Sequence, residues 1–329
     1  MYNEVYTYRS RRQKGKKKIR FFLLLFFIFV IALSYFILSS RPKITDVTSP
    51  LGNSVPTNTP TPLPKNSPGL TSAVENALSG SHGSYGIVIK NLSTGESYYQ
   101  NEKKIFESGS LYKLWVMAVV FEKIHDGNLN ESDILQKDAS DLYKEFDVEP
   151  DGTEQSDGTI SMNVDDALYQ MITISSNNAA LLLTDNISIP AISNFLKLYN
   201  FSSSKVGTGD SPPITDALDI SELFEKLYKG QLADSIYTEK MITLLKGQRL
   251  NDKIPKYLPD DVIVAHKTGE LDTFTHDAGI IYSGAGDYII VVLSESDDPN
   301  QAKERIALIS QNVYDYFTST ITSTPSSEN

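Results

Sequence analysis

Three short patterns in the chain could together carry nucleophilic acyl-transfer chemistry: Ser110-Leu-Tyr-Lys113, Ser175-Ser176-Asn177 and Lys267-Thr268-Gly269. A serine hydroxyl is a poor nucleophile until a neighbouring base removes its proton. A lysine can be that base only when burial or nearby cations bring its pKa toward neutrality. Each pattern alone is weak: Ser-x-x-Lys recurs at Ser40 with Lys43 and at Ser202 with Lys205, and Ser-x-Asn at Ser161 with Asn163 and Ser310 with Asn312. For an isolated pair the ordinary roles are a helix N-cap for the serine and a solvent-seeking side chain for the lysine.

Context separates Ser110 from its look-alikes. It follows Glu107, Ser108 and Gly109 and opens an apolar run containing Leu114, Trp115, Val116, Val119 and Val120, which predicts a buried helix over 110–124. A serine at that N-terminus meets free backbone N–H groups and the positive end of the helix dipole. Lys113, three residues on, shares its face and can reach its hydroxyl.

The elements that must bring these patterns together come from both ends of the folded region. SYGIVIKNL and SYYQ, either side of Gly95, predict a hairpin; DVIVAHKT, HDAGIIYS and DYIIVVLSE predict three more strands. Between them, 163–174, 178–187, 189–199 and 219–230 have helical periodicity. After Asp298 and Pro299, apolar residues recur from Ala302 to Phe317 at spacings of three or four, predicting an amphipathic helix that covers the sheet. The reading is a mixed domain of two chain ends forming one sheet, with a helical region inserted.

The first seventy residues read as an address. Residues 21–38, FFLLLFFIFVIALSYFIL, carry no charge and as a helix would span about 27 Å, close to a bilayer's hydrocarbon thickness. The basic tail 1–20 should stay cytoplasmic, placing the rest outside the cell as a single-pass protein of the cell membrane. A cleaved signal peptide fits less well, because Ser39, Ser40, Arg41 and Pro42 follow without a small-residue cleavage pattern. Residues 39–70, rich in Pro, Thr and Ser, read as an extended linker. The catalytic domain is expected over 71–318, with a frayed tail at 319–329.

Composition closes several other routes. There is no cysteine, which excludes disulfides, thiolate metal sites and a cysteine nucleophile. Eight of the thirty Lys and Arg residues lie in the first twenty positions with one acid, leaving 22 bases against 40 acids elsewhere; nucleic-acid binding has no electrostatic footprint there. The four histidines lack metal-ligand spacing, so neither metal nor cofactor is expected. His276 reads as structural or as a residue at the cleft edge. The DGTEQSDGT segment over 151–159 lacks the ligand order of a calcium loop and reads as a turn.

The three patterns, in this order, resemble the motifs S-x-x-K, S-D-N and K-T-G of the penicillin-recognising serine enzymes, the class A β-lactamases and penicillin-binding proteins. ISSNNAALLL (174–183) is similar to the family's second motif and the helix it starts, and VAHKTGELDTFTHDAGIIY (264–282) to its third motif and following strand. The resemblance implies a β-lactamase-like α/β fold: a five-stranded antiparallel sheet flanked by terminal helices, plus a mostly helical inserted subdomain. It also implies that Ser110 is the acylated nucleophile, Lys113 the residue that deprotonates it, Ser175 a proton relay and Asn177 a substrate-amide ligand. Lys267 and Thr268 would face the substrate carboxylate, Gly269 would let substrate lie on the strand, and the N–H groups of Ser110 and Glu270 would form the oxyanion hole.

Two departures from the family pattern matter. Ser176 stands where Asp is usual, and a shifted register, Ser176-Asn177-Asn178, is an alternative. More seriously, no E-x-x-L-N segment supplies the glutamate that frees the acylated serine; between Ile187 and Asp219 only Asp210, Asp216 and Asp219 are acidic. Without such a base, deacylation would be slower by about 10²- to 10⁴-fold. The expected function is therefore a membrane-anchored, monomeric serine hydrolase opening β-lactams, possessing slow deacylation. The alternatives are a D,D-carboxypeptidase acting on D-Ala-D-Ala peptides of peptidoglycan, or a non-hydrolysing penicillin-binding sensor.

Overall fold

Strands Ser84–Asn91 (β1) and Ser97–Gln100 (β2) form an antiparallel hairpin. The left-handed φ of 76° that its turn needs is supplied by Gly95. The computed structural model describes residues 66–150, 152–207 and 211–322. Numbering elements along the chain, Phe106–Glu107 (β3), Ile134–Asp138 (β4), Thr159–Asn163 (β5) and Ile214–Thr215 (β6) build two small ribbons, β3 with β6 and β4 with β5. Ile263–Leu271 (β7), Phe274–Tyr282 (β8) and Tyr288–Glu295 (β9) complete the main sheet in the order β2-β1-β9-β8-β7, every pairing antiparallel. This is the five-stranded sheet expected from both chain ends.

The unbroken apolar run of β9 follows from its central place. Ile290 and Val292 face one core with Val74, Ile306 and Val313, while Ile289, Val291 and Leu293 face a second core with Val88, Ala278 and Ile280. The first core lies under the terminal helices Pro68–Leu78 (α1) and Pro299–Thr322 (α9), which pack on each other. Asp298 starts α9 as expected, accepting the Gln301 N–H at 3.0 Å. Two boundaries differ from the sequence reading: α1 begins at Pro68, within the segment read as linker, and α9 runs to Thr322, into the segment read as tail.

The second core is organised around Lys113–His125 (α2), buried at every position from Lys113 to Phe121 and therefore apolar on all sides. Around it lie Ala139–Phe146 (α3), Val164–Thr173 (α4), Asn177–Ile187 (α5), Ile189–Leu198 (α6), Ala217–Tyr228 (α7) and Ser235–Lys246 (α8). The β4–β5 ribbon, α3 and α8 have no counterpart in the sequence reading. The tail 1–20, the apolar run 21–38 and the linker as far as residue 65 lie outside the described residues, and among those described no single helix is long and apolar enough to cross a membrane.

Candidate active site

Ser110 sits on a 3₁₀ turn, Gly109–Tyr112, between β3 and α2. The α-helix expected from residue 110 starts at Lys113, because the turn is shaped by its seat against the end of β7. Gly109 has φ 47°, and a Cβ there would lie 3.0 Å from the Glu270 nitrogen; a Cβ on Gly269 would lie 2.8 Å from the Ser108 carbonyl oxygen. The contact at Gly269 is closer than a Cβ tolerates, and the one at Gly109 is tight at a left-handed φ that a side chain would strain, so two glycines permit the nucleophile turn and the third-motif strand to abut. The backbone around Ser110 and Glu270 thereby converges where the oxyanion hole was expected.

Lys113 is completely buried, and its ammonium donates to the Ser175 carbonyl at 2.6 Å, the Asn177 Oδ1 at 2.8 Å and the Ser175 hydroxyl at 3.3 Å. The Lys113 amine is thus held by Ser175 and Asn177, while the Ser110 side chain, three residues before it, lines the cleft and makes no hydrogen bond among the described residues. Lys267, also completely buried, donates to the Ser175 hydroxyl at 3.0 Å and to the Thr268 carbonyl at 2.9 Å. Burial, reinforced by the Lys113 charge, holds the Lys267 pKa well below the ordinary lysine value. One hydroxyl, that of Ser175, is thus shared by two buried amines from distant parts of the chain.

Ser175 adopts a left-handed φ of 61°, uncommon for a residue with a side chain. The following residues settle the register: Ser176 caps α5, its hydroxyl accepting the Ala179 N–H at 3.1 Å, and Asn178 Oδ1 accepts from the Tyr143 hydroxyl at 2.7 Å. Asn177 is the amide that faces the lysine. The sequence reading missed Glu154, whose carboxylate accepts from the Asn177 N–H at 2.6 Å, the Asn178 N–H at 2.8 Å and the Ser176 hydroxyl at 3.0 Å. Its segment is the one read as a turn, and nothing in that acidic run distinguishes Glu154 from its neighbours.

These side chains open on a cleft of about 530 Å³, lined by Ser110, Ser175, Asn177, Thr268 and Glu270 and walled farther out by Arg249, Asp252 and Lys303. Gly269 lies under Thr268 and Glu270 on β7. The Glu270 carboxylate is drawn aside into ion pairs with buried Lys253 at 2.6 Å and with Lys303 at 3.0 Å. Despite partial burial, which acts in the opposite direction, these cations keep its pKa below the usual carboxylate value. The negative charge of this cleft-lining residue is thereby balanced by two cations.

His276 holds the nucleophile turn from behind. Its Nε2 donates to the Glu107 carbonyl at 2.7 Å, and its Nδ1 accepts the Ser294 N–H at 3.1 Å, which fixes a neutral tautomer. Burial lowers its pKa to about 4. A histidine whose folded pKa lies below its unfolded value of 6.5 leaves stability intact above 6.5 and removes it as pH falls through 6.5 toward 4. Urea unfolding should show wild type losing about 3 kcal/mol more over that window than His276→Leu, which has no titrating group at that position; parallel pH profiles for the two would refute this account.

Of the acids considered for deacylation, Asp216 does not line the cleft. It caps α7, accepting the Asp219 N–H at 2.8 Å, and burial raises its pKa. The Asp219 carboxylate holds the chain at Ser203 and Ser204, accepting both N–H groups at 2.9 and 2.8 Å. Asp210 lies outside the described residues.

A family model described as "Beta-lactamase enzyme family" matches residues 69–317. Among solved structures, the chain is similar to the beta-lactamase from Sphaerobacter thermophilus, at 21% identity over 76% of this chain and 97% of that one, with a TM-score of 0.67. It is similar to the TLA-1 extended spectrum beta-lactamase at 21% identity over 77% and 99%, TM-score 0.68. A mutant of PBP-A, in an acyl-enzyme complex with penicillin G, matches at 18% identity over 76% and 96%, TM-score 0.68. At such identities the likeness to these structures is one of fold. No match to a curated protein sequence was found.

Proposed function

Because the chain belongs to the beta-lactamase enzyme family, we propose that it is a serine hydrolase that opens β-lactams through an ester on Ser110, tethered outside the cell by residues 21–38 and slow to deacylate. The observation that carries the reading is the Ser175 hydroxyl, held between Lys267 at 3.0 Å and Lys113 at 3.3 Å on the wall that also presents Ser110. In the reaction the Ser110 oxygen attacks the lactam carbonyl, Lys113 in its neutral form takes the hydroxyl proton, and the developing oxyanion is met by the N–H groups of Ser110 and Glu270. The carbon–nitrogen bond then breaks, and a proton passes through Ser175 to the leaving nitrogen. Water later cleaves the ester, restoring the serine and releasing the ring-opened acid.

Slow release is supported by the engagement of the acids: Asp252 and Glu270, which line the cleft, are ion-paired with Lys253 and Lys303, and Asp216 and Asp219 hold helix and loop. The basic tail before an uncharged run of eighteen residues supports the tether. The test is incubation of the full-length chain with a chromogenic cephalosporin and, separately, an acyl-D-Ala-D-Ala peptide, each followed by intact mass. An adduct of one acyl group per chain that outlasts the burst of colour is expected. Faster peptide cleavage than cephalosporin opening would make it a D,D-carboxypeptidase, and neither adduct nor product would refute acyl transfer at Ser110.

A further inference from the structure

Ser175 carries the chemistry of this cleft in a conformation that costs energy. Its left-handed backbone turns both its carbonyl and its hydroxyl toward Lys113, and such strain persists only where the surroundings over-determine it. The group that over-determines it comes from elsewhere in the chain. From the largely exposed segment between α3 and β5, the half-buried Glu154 places one carboxylate oxygen on the Asn177 N–H and the other on the Ser176 hydroxyl and Asn178 N–H. These are charge-assisted bonds to the first turn of a helix, where the dipole also favours an anion. The next residue adds a further tie, its carbonyl accepting from the Asn178 side chain at 3.0 Å.

We propose that Glu154 is a positioning residue for acylation: its carboxylate locks the 175–178 turn in the form that presents Ser175 and Asn177 to the two buried amines. It touches neither Ser110 nor the cleft, and acts through the turn. Loss of its negative charge leaves the turn free to relax toward ordinary backbone angles, which moves the Ser175 carbonyl and hydroxyl and the Asn177 amide together away from Lys113. The proposal deepens the acyl-transfer reading and rests on it.

The test is the acylation rate constant and the non-covalent dissociation constant for a slowly released β-lactam, measured on the full-length chain by stopped flow and intact mass. Glu154→Gln keeps the shape but removes the charge. It is expected to lower the acylation rate constant by about tenfold or more, the scale of a displaced catalytic group, with the dissociation constant within about threefold; loss of the charge-assisted bonds lowers the thermal midpoint by roughly a few degrees and leaves the variant folded at the assay temperature. Asp157→Asn, which removes a charge of the same sign from the same segment at an exposed side chain that makes no hydrogen bond among the described residues, is expected to acylate like wild type. An acylation rate within threefold of wild type in Glu154→Gln, an equal loss in Asp157→Asn, or a loss confined to affinity would each overturn the proposal. Absence of any adduct with the wild-type chain would instead remove the acyl-transfer reading on which it stands.

Discussion

Replacing Ser110 by alanine should abolish the covalent β-lactam adduct, lowering turnover by roughly 10⁴-fold or more, while leaving the unfolding free energy within about 0.5 kcal/mol of wild type. The two halves of that result have separate causes. In the proposed mechanism the Ser110 oxygen becomes the ester, so its loss removes a bond and not merely a favourable contact. The same hydroxyl makes no hydrogen bond among the described residues and is half-buried on the cleft wall, so its removal orphans no partner and opens no cavity. The neighbouring Ser108 provides the contrast, since it is fully buried where the turn meets Gly269. Intact mass after incubation with a β-lactam decides the matter: an adduct on Ser110→Ala would show that another nucleophile is acylated.

The main sheet was legible because β1, β8 and β9 are apolar enough to be buried on both faces, and because Gly95 and Gly286 interrupt them where the chain must turn. The β4–β5 ribbon was not, since Ile134-Leu-Gln-Lys-Asp138 buries one residue and has no apolar rhythm. At the site, residue type and order identified Ser110, Lys113, Ser175, Asn177 and Lys267, and these do come together. The partner of each amine was beyond reach of spacing. Reasoning along one helix placed Lys113 near Ser110, three residues away, and could not see that packing also binds its amine to Ser175 and Asn177, sixty-two and sixty-four residues away. Glu154 was hidden for the same reason: a carboxylate in a polar run acquires its role only when folding brings α5 against it.

The second large effect has opposite signs for activity and stability. Lys267→Met should lower the acylation rate by about 10²- to 10³-fold, the scale set by removing one preorganised electrostatic donor from a water-poor site, because the amine that polarises Ser175 and faces an incoming carboxylate is gone. The same change should raise the unfolding free energy at neutral pH by about 1–3 kcal/mol. Its pKa in the fold lies well below 10.5, through burial and the Lys113 charge, so the unfolded chain binds that proton more readily. Stability contributed by this group therefore rises with pH toward 10.5, and at neutral pH the buried amine weakens the fold. Methionine fills similar space without a charge, and Ser175 keeps Lys113 as a partner at 3.3 Å. Thermal and urea unfolding of Lys267→Met beside wild type test this directly, and the excess stability should shrink as pH approaches 10. A variant both inactive and less stable would mean that Lys267 chiefly holds the cleft together; the expected gain would mean that the protein keeps two amines buried side by side at a cost in stability because acyl transfer requires them there.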